Sequence, residues 1–331
     1  MKHLLPQKNQ YKANLHAHST ISDGELTPEQ LKAYYKEKGY SILSLTDHST
    51  TVDHSHMNEP DFLMITGVEM DFRTNSAEKT CHLCMLSRDP HLLWIPFLDQ
   101  EVFPHMIPYM EQCHCENLPC AYSPENINRV IAKANEKGFL VTYNHPAWSL
   151  EYYTDYAPLE GLWGMEYYNT GSYASGVDEH NGWVFREFLH MGKQLMPIMA
   201  DDTHEINQSE FPCAGTAFTM VVAEKLEYSC IMDALARGDL YSSTGPTIQN
   251  LEWDDGMLRI RCSPAARIQL IKNRRATRVI WGDAVTEGEF DLRLWRQRTQ
   301  NDPNAWFYLK VTDAQGNYAV TRAYTIAELC K

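Results

Sequence analysis

An α/β fold, a barrel of parallel strands with helices outside followed by a small antiparallel β domain, is predicted by three observations. Helix, glycine and strand recur four times up to about residue 245. Polar residues able to hold metal fall where the strands end, as active sites do in parallel barrels. After Thr244-Gly245-Pro246 the texture changes to two-residue alternation.

The first unit opens at Thr27-Pro28-Glu29-Gln30. An N-cap, a proline in the first turn and a glutamine at the capping-box position start a helix that Gly39 ends, before the strand Ser41 to Thr46. Ser123-Pro124-Glu125 opens a second helix that runs to Gly138, followed by the strand Phe139 to Tyr143. Val177 to Gly192 is a third, followed by Gln194 to Ala200, and Tyr228 to Gly238 a fourth, followed by Leu240 to Ser243. From Arg88 to Tyr122 the alternation lapses into a Pro-, His- and Met-rich stretch, read as a long loop or short helical cap over the strand ends. Beyond Pro246, Leu258 to Arg261, Ile268 to Ile271, Phe290 to Leu294 and Trp306 to Val311 alternate in twos between turns at Asp255-Gly256 and Gln315-Gly316-Asn317. The expected organisation is a barrel over residues 1–247, with 88–122 as an insertion, and an all-β domain over 248–331 that serves packing or oligomerisation.

Composition narrows the function. With 331 residues, 44% of them hydrophobic, the chain can bury a sizeable core, which excludes disorder and fibres. A net charge of −14, from 29 Lys+Arg against 43 Asp+Glu, opposes extended nucleic-acid binding, whereas a small anionic substrate remains compatible with a metal cluster that reverses the local field. Nine scattered cysteines argue for reduced thiols. Cys81 and Cys84 would point to opposite faces of a strand, so Cys81-His82-Leu83-Cys84, like Cys113-His114-Cys115 with Cys120, reads better as packed thiols than as a zinc site. The first ten residues lack the apolar core of roughly 7–15 residues that a secretory signal needs, and no apolar run reaches about 18 residues, so a cytoplasmic protein without membrane contact is expected.

The strongest signal runs from Asn14 to Gly24. His16 and His18, two apart at the end of the first strand, project to one side and can reach one ion, with Asp23 on the following turn. Asp47-His48, Glu69, His82, His145 and Asp202-Thr203-His204 stand at later strand ends. So many imidazoles and carboxylates converging on one mouth would be costly without a cation. Around them, Asp47 and Asn144 are candidates either to orient ligands or to cap strand ends, and Glu166 sits near another strand end. Asp201 is an alternative to Asp202, and Arg73 is the nearest readable anion clamp. His54, His56, His91, His105, His114, His180 and His190 match no pattern and are expected on the surface or in loops.

In order, a His-x-His with a nearby Ser-Asp-Gly, a Thr-Asp-His, a Gly-Val-Glu, a strand histidine, an Asn-His-Pro and an Asp-x-His resemble the motifs of the polymerase and histidinol phosphatase (PHP) family of metal-dependent phosphoesterases, over roughly residues 12–247. The resemblance implies a distorted (β/α)7 TIM-like barrel with two or three divalent ions. His16, His18, Glu69 and Asp202 would hold one, Glu69 would bridge to a second on His82 and His145, and Asp23, His48 and His204 would hold a third. Some relatives have His at the position of Asp23; a carboxylate there favours a harder ion such as Mn or Fe beside Zn. Leu240 to Pro246 and the appended β domain resemble, more loosely, a branch that contains carbamate-ester hydrolases.

The expected activity is therefore metal-dependent hydrolysis, foremost of a phosphoester in a small phosphorylated molecule. Glu69 and Asp202 would hold the ions that activate water, and His204 or an aspartate would assist the leaving group. The alternatives are a carbamate, ester or amide hydrolase on the same cluster, whose pocket would be walled by Trp148, Tyr152 or Tyr168, and a non-catalytic module that binds metal or a partner. Oligomeric state is not encoded in any of these patterns.

Overall fold

The computed structural model describes residues 1–74, 78–98, 103–208, 211–275, 277–302 and 304–329. It is a mixed α/β structure organised around one continuous sheet. In its first half, strands β1 (Asn9–Asn14), β2 (Ile42–Leu45) and β3 (Leu63–Arg73) run parallel, with helix α1 (Pro28–Glu37) between the first two. Strand β4 (Thr80–Ser87) follows, and then β5 (Phe139–Tyr143), β6 (Gly164–Asn169) and β7 (Met196–Ala200) run parallel again. Helix α2 (Pro124–Lys137) precedes β5, while α3 (Thr170–Ala174) and α4 (Gly182–His190) lie between β6 and β7.

The helix starts follow from their caps. Gln30 N donates to Thr27 Oγ1 at 3.3 Å and Thr27 N donates back to Gln30 Oε1 at 2.9 Å, which closes the capping box. Ser123 Oγ receives Asn126 N at 3.2 Å, and at the other end of α2 Gly138 takes φ +92°, a left-handed cap. The third expected helix starts later than its sequence suggests, at Gly182 and not Val177. Residues 177–179 are irregular and His180 forms an isolated bridge with Tyr168, and the buried Glu179 carboxylate accepts the backbone N–H groups of Ala147 (3.2 Å) and Trp148 (2.9 Å).

The expectation of uniformly parallel strands is corrected at β4, which is antiparallel to both β3 and β5. Only residues 74–79 separate β3 from β4, too few for the crossover that a parallel pair needs. The hairpin pairs Asp71 with His82. On the far side of β1, strand β8 (Phe218–Ala223) is antiparallel to it, and β9 (Leu240–Ser243) to β8, with helix α5 (Tyr228–Arg237) between these two. Side chains of β8 and β9 bond β7, and the loops that follow β7 and β1 meet. Thr219 Oγ1 bonds the Met199 carbonyl at 3.2 Å, Ser242 Oγ bonds the Pro197 carbonyl at 2.6 Å, and Asp202 N donates to the His16 carbonyl at 3.0 Å.

The remainder comprises β10 (Ile248–Asp254), β11 (Met257–Lys272), β12 (Arg278–Asp291), α6 (Arg293–Thr299), β13 (Trp306–Thr312) and β14 (Tyr318–Thr321). The segment expected to be all β thus includes a helix, in which Trp295 is buried. Strand β14 pairs with β9, and the Lys2–His3 strand pairs with β10. Buried residues mix accordingly: Trp306, Tyr308 and Tyr318 pack with Met70, Leu83 and Phe185, while Leu251, Phe307 and Leu309 pack with Tyr35 and Leu43. Of the 88–122 stretch, residues 99–102 lie outside the described residues; the rest carries a short ladder between Trp94–Ile95 and His114–Cys115 and helical turns over 104–110.

A candidate metal centre

All nine side chains expected as ligands converge on one mouth, most of them from loops beyond strands; Glu69 and His82, expected at strand ends, lie instead within β3 and β4, because β3 continues past Glu69 into the hairpin with β4. His16 and His18 follow β1, His48 follows β2, Glu69 and His82 lie on the paired β3 and β4, His145 follows β5, and Asp202 and His204 follow β7. Two close backbone approaches require glycine. A Cβ on Gly24 would stand 2.2 Å from the His18 carbonyl oxygen, and one on Gly171 would stand 2.7 Å from that of Asp202. His145 and Asp202 themselves take positive φ, +25° and +52°, the kind of local strain that persists where surrounding structure enforces it.

The two oxygens of Glu69 serve different neighbours. Oε2 lies 3.3 Å from His16 Nε2 and 3.2 Å from His18 Nε2, and Asp202 Oδ1 reaches the same two nitrogens at 3.1 and 3.2 Å. Oε1 lies 3.1 Å from His82 Nδ1 and 3.2 Å from His145 Nε2. Nearer solvent, Asp23 Oδ2 lies 3.6 Å from His48 Nε2 and 3.4 Å from His204 Nε2, while its Oδ1 lies 3.6 Å from His18 Nδ1. These sets form three overlapping groups close enough to hold cations: His16, His18, Glu69 and Asp202; Glu69, His82 and His145; and His18, Asp23, His48 and His204.

The arrangement fits divalent ions on its own chemistry. His16 Nε2 and His18 Nε2 face each other at 3.1 Å, where two lone pairs would repel unless a proton or a metal lay between them. Asp202 Oδ1 is buried and accepts no hydrogen bond. Without an ion, protons take its place: burial alone would push the His18 imidazole down, but Asp202 and Glu69 hold it up at about 10. His82 is likewise held up at about 10 against its burial, by Glu69 and Asp71. Burial and the neighbouring His18 push His48 the other way, to about 3, so it is a neutral donor at the rim. The Glu69 carboxyl stays well below its usual range although burial would raise it, because His16 and His82 flank it.

Outside the ligands, the sequence candidates separate. Asp47 caps a loop, receiving the N–H groups of Ser19 (2.7 Å) and Ser22 (3.2 Å) and both of their hydroxyls. Asn144 orients a ligand, donating from Nδ2 to Glu69 Oε1 at 3.1 Å. Asp201 turns away from the mouth, where Tyr35, Thr170 and the Gly215 and Ala217 amides bond it. Glu166 does reach the cluster, 2.8 Å from His16 Nδ1. His54, expected on the surface or in a loop, does lie in a loop, just before a 3-10 turn, but is buried there. Two partners escaped the sequence reading. Asp71 Oδ1 lies 3.2 Å from His82 Nε2, and Ser149 Oγ lies 3.1 Å from His145 Nδ1. The strand period could have found Asp71, since Glu69, Asp71 and Arg73 alternate onto one face of β3.

The mouth encloses about 420 Å³, within the range of small-molecule sites. Among its described lining residues Arg73 is the one permanent cation, and its Nε is bonded to Asp71. Trp148 forms an apolar wall, 5.1 Å from the His145 ring and 5.4 Å from that of His82. Tyr152 and Tyr168 do not line it. Among the described residues no cysteine joins a metal-capable group, and all eight described cysteines are free thiols. No described helix is long and apolar enough to cross a membrane.

No family model matches the chain. A stretch of 82 residues is 37% identical to a 5'-3' exoribonuclease of Haemophilus influenzae, covering 24% of this chain and 29% of that protein, so the match spans less than a third of the relative. Among solved structures, the chain is similar to a two-domain protein from Bacteroides vulgatus containing a predicted PHP-like metal-dependent phosphoesterase, with 13% identity, 98% of both chains covered and a TM-score of 0.44. It is also similar to a proposed metal-dependent phosphoesterase from Bifidobacterium adolescentis, at 16% identity over 59% of this chain and 88% of that one, TM-score 0.39. An amidohydrolase from Chromobacterium violaceum, solved with bound sulfate and no metal, shares 14% identity over 69% of this chain and 96% of the other, TM-score 0.38.

Proposed function

We propose that the protein is a metal-dependent hydrolase of the PHP type, built on a distorted seven-stranded barrel and acting on a phosphoester in a small molecule. The observation that carries the reading is the pair of Glu69 oxygens, each facing a separate pair of imidazole nitrogens at 3.1–3.3 Å. A shared carboxylate of this kind suits two neighbouring ions, with Asp23, His48 and His204 available for a third. Bound divalent ions would supply water acidic enough to react near neutral pH and positive charge for the developing oxyanion.

The chain's own residues then divide the remaining work. His82 and His145 are fixed by Asp71 and Ser149, so their orientation costs nothing at the moment of reaction. His204, with its side chain 40% exposed, is placed to hand a proton to a leaving group at the solvent edge. Trp148 excludes water on the opposite wall, and Arg73 presents its charge to an incoming anion. The 82-residue stretch shared with an exoribonuclease agrees with phosphoester chemistry.

One observation favours a second reading, hydrolysis of a carbamate, ester or amide. A phosphatase mouth should present several cations to the non-bridging oxygens, yet Arg73 is the one described permanent cation, beside an aromatic wall. Metal analysis of the purified protein, followed by rates on phosphomonoesters, phosphodiesters, carboxyl esters and amides with Mn, Zn and Fe, separates the two. Turnover of phosphoesters above the others supports the first reading. Turnover of carboxyl esters or amides alone replaces it with the second, and ions bound without turnover of any class leave a binding module.

A further inference from the structure

Glu166 lies within β6 (Gly164–Asn169), almost completely buried. Its Oε1 lies 2.8 Å from His16 Nδ1, while its Oε2 accepts the backbone N–H of His145 at 3.0 Å and the Asn169 amide at 2.8 Å. Asn169 Nδ2 also reaches Asp202 Oδ2 at 3.1 Å. Three metal-capable residues, from loops after three different strands, are therefore tied to one carboxylate or to its amide neighbour.

Glu166, His16 and His145 lie close enough together to be considered ligands of an ion themselves. Geometry favours another role. Ligand atoms around a tetrahedral ion with bonds of roughly 2.0–2.2 Å stand about 3.3–3.6 Å apart. The contacts of His16 Nε2 with Asp202 Oδ1 and Glu69 Oε2, at 3.1 and 3.3 Å, approach that spacing. The 2.8 Å contact on the other side of the same ring is a charge-assisted hydrogen bond, with no room for an ion between its atoms. A neutral imidazole has one N–H and one lone pair. If Nδ1–H donates to Glu166, the lone pair must sit on Nε2, the atom that faces Glu69 and Asp202.

We propose that Glu166 is a positioning residue for metal binding. It fixes His16 in the Nδ1–H tautomer and, through the His145 backbone and the Asn169 amide, holds two further ligand segments in register. The strained backbone at His145, φ +25°, is held in part by this bond. The inference rests on the metal-centre reading above and adds to it a residue outside the nine ligands whose removal should act through His16.

The test uses the full chain stripped of metal by a chelator, with Mn(II) or Zn(II) alone as the probe, titrated calorimetrically and in competition with a chromophoric chelator. Glu166→Gln keeps the shape but weakens the acceptor, so one ion should bind about 10–100-fold more weakly, the range found for partners that orient metal ligands. Glu166→Asp, with its shorter reach, should behave the same way and serves if the glutamine variant folds poorly. In a double-mutant comparison read as the number of ions retained, His16→Ala with Glu166→Gln should keep as many ions as His16→Ala alone. Unchanged affinity in both single Glu166 variants overturns the proposal, as does a double variant that loses a further ion. Complete loss of an ion equal to that in Glu69→Gln would make Glu166 a ligand and also overturn it. If the wild-type chain takes up no ion, the metal-centre reading fails first, and the two failures remain distinct.

Discussion

The floor and the rim of the mouth are built from the same residue types but differ in how firmly they are held. On the floor, the side chains of His16, His18 and Glu69 are at most 2% exposed, and the second nitrogens of His16, His82 and His145 face Glu166, Asp71 and Ser149. At the rim, Asp23, His48 and His204 are 32, 20 and 40% exposed, and their mutual distances of 3.4–3.6 Å are longer. A floor prepared in advance loses little freedom when an ion enters, whereas the rim must order two half-exposed side chains. The floor should therefore bind first and release last, and the rim should exchange.

The largest effect that can break this comparison comes from the floor. His16→Ala or His145→Ala should remove at least one equivalent of bound ion and nearly all hydrolysis while the fold survives, since each leaves the strand ladders intact. Metal analysis and turnover of the two variants check it; full turnover in either one refutes the cluster. Next is a purely structural change. Trp306 is fully buried and shares one core cluster with Met70, Leu83 and Phe185, so the strands of the first half rely on the C-terminal part for their core. Trp306→Ala should cost about 3–5 kcal/mol, a large share of the roughly 5–15 kcal/mol typical of a domain, visible as a lower melting temperature. For the same reason a chain cut after residue 247 should lose stability heavily. A truncated chain that melts like the full one would show that the two parts fold independently.

A third effect appears with pH. In the metal-free protein His18 and His82 are held up at about 10 against an ordinary value of 6.5, burial opposing and Asp202, Glu69 and Asp71 prevailing. Groups raised in this way add stability that is fully present below about pH 6.5 and lost as pH climbs through 10. Chelator-treated protein should therefore melt at a lower temperature at pH 10 than at pH 7. Because the same protons must leave before an ion can take their place, apparent affinity should rise over this window, and binding at pH 7 should release protons into a weak buffer. Melts that do not change with pH, together with no proton release, would mean that these imidazoles are already neutral.

How much of this was legible in the chain differs between the two regions and follows from physics. That the side chains of the floor and the rim meet was readable, because metal chemistry demands a narrow set of residue types, and parallel strands deliver the residues that follow them to one end of the sheet. Helix α1 was readable because its capping box is local. What remained hidden depends on contacts distant in sequence. The reversal of β4 is set by a short connection that looks like any loop, and His54 is buried by elements that no local pattern names. Asp201 and Asp202 are adjacent and chemically alike, and the turn at Asp202, φ +52°, is what sends one into the mouth and the other beneath the Gly215 and Ala217 amides. The motif spacing identified Asp202, but only the packing gives Asp201 its role.

The smallest expected effect sharpens the comparison most, because it acts on the rim alone. Asp23 reaches His48 and His204 through Oδ2 and His18 through Oδ1, and these partners hold its carboxyl below its ordinary range against partial burial. Asp23→Asn keeps the shape and removes the anion, leaving imidazoles with no charge to offset a divalent cation. The rim ion should then bind at least about tenfold more weakly while the floor ions, which would share Glu69, remain loaded. An ion held by Asp23, His48 and His204 would add positive charge at the rim, so its loss should slow a dianionic phosphomonoester more than any neutral ester the protein accepts. Metal counts and paired rates on the two substrate types, for wild type and Asp23→Asn, decide the matter. Equal metal counts in both proteins would reduce Asp23 to a residue of the turn before Gly24. A loss of all ions together would show that floor and rim are one cooperative site and that their difference in burial has no bearing on the order of release.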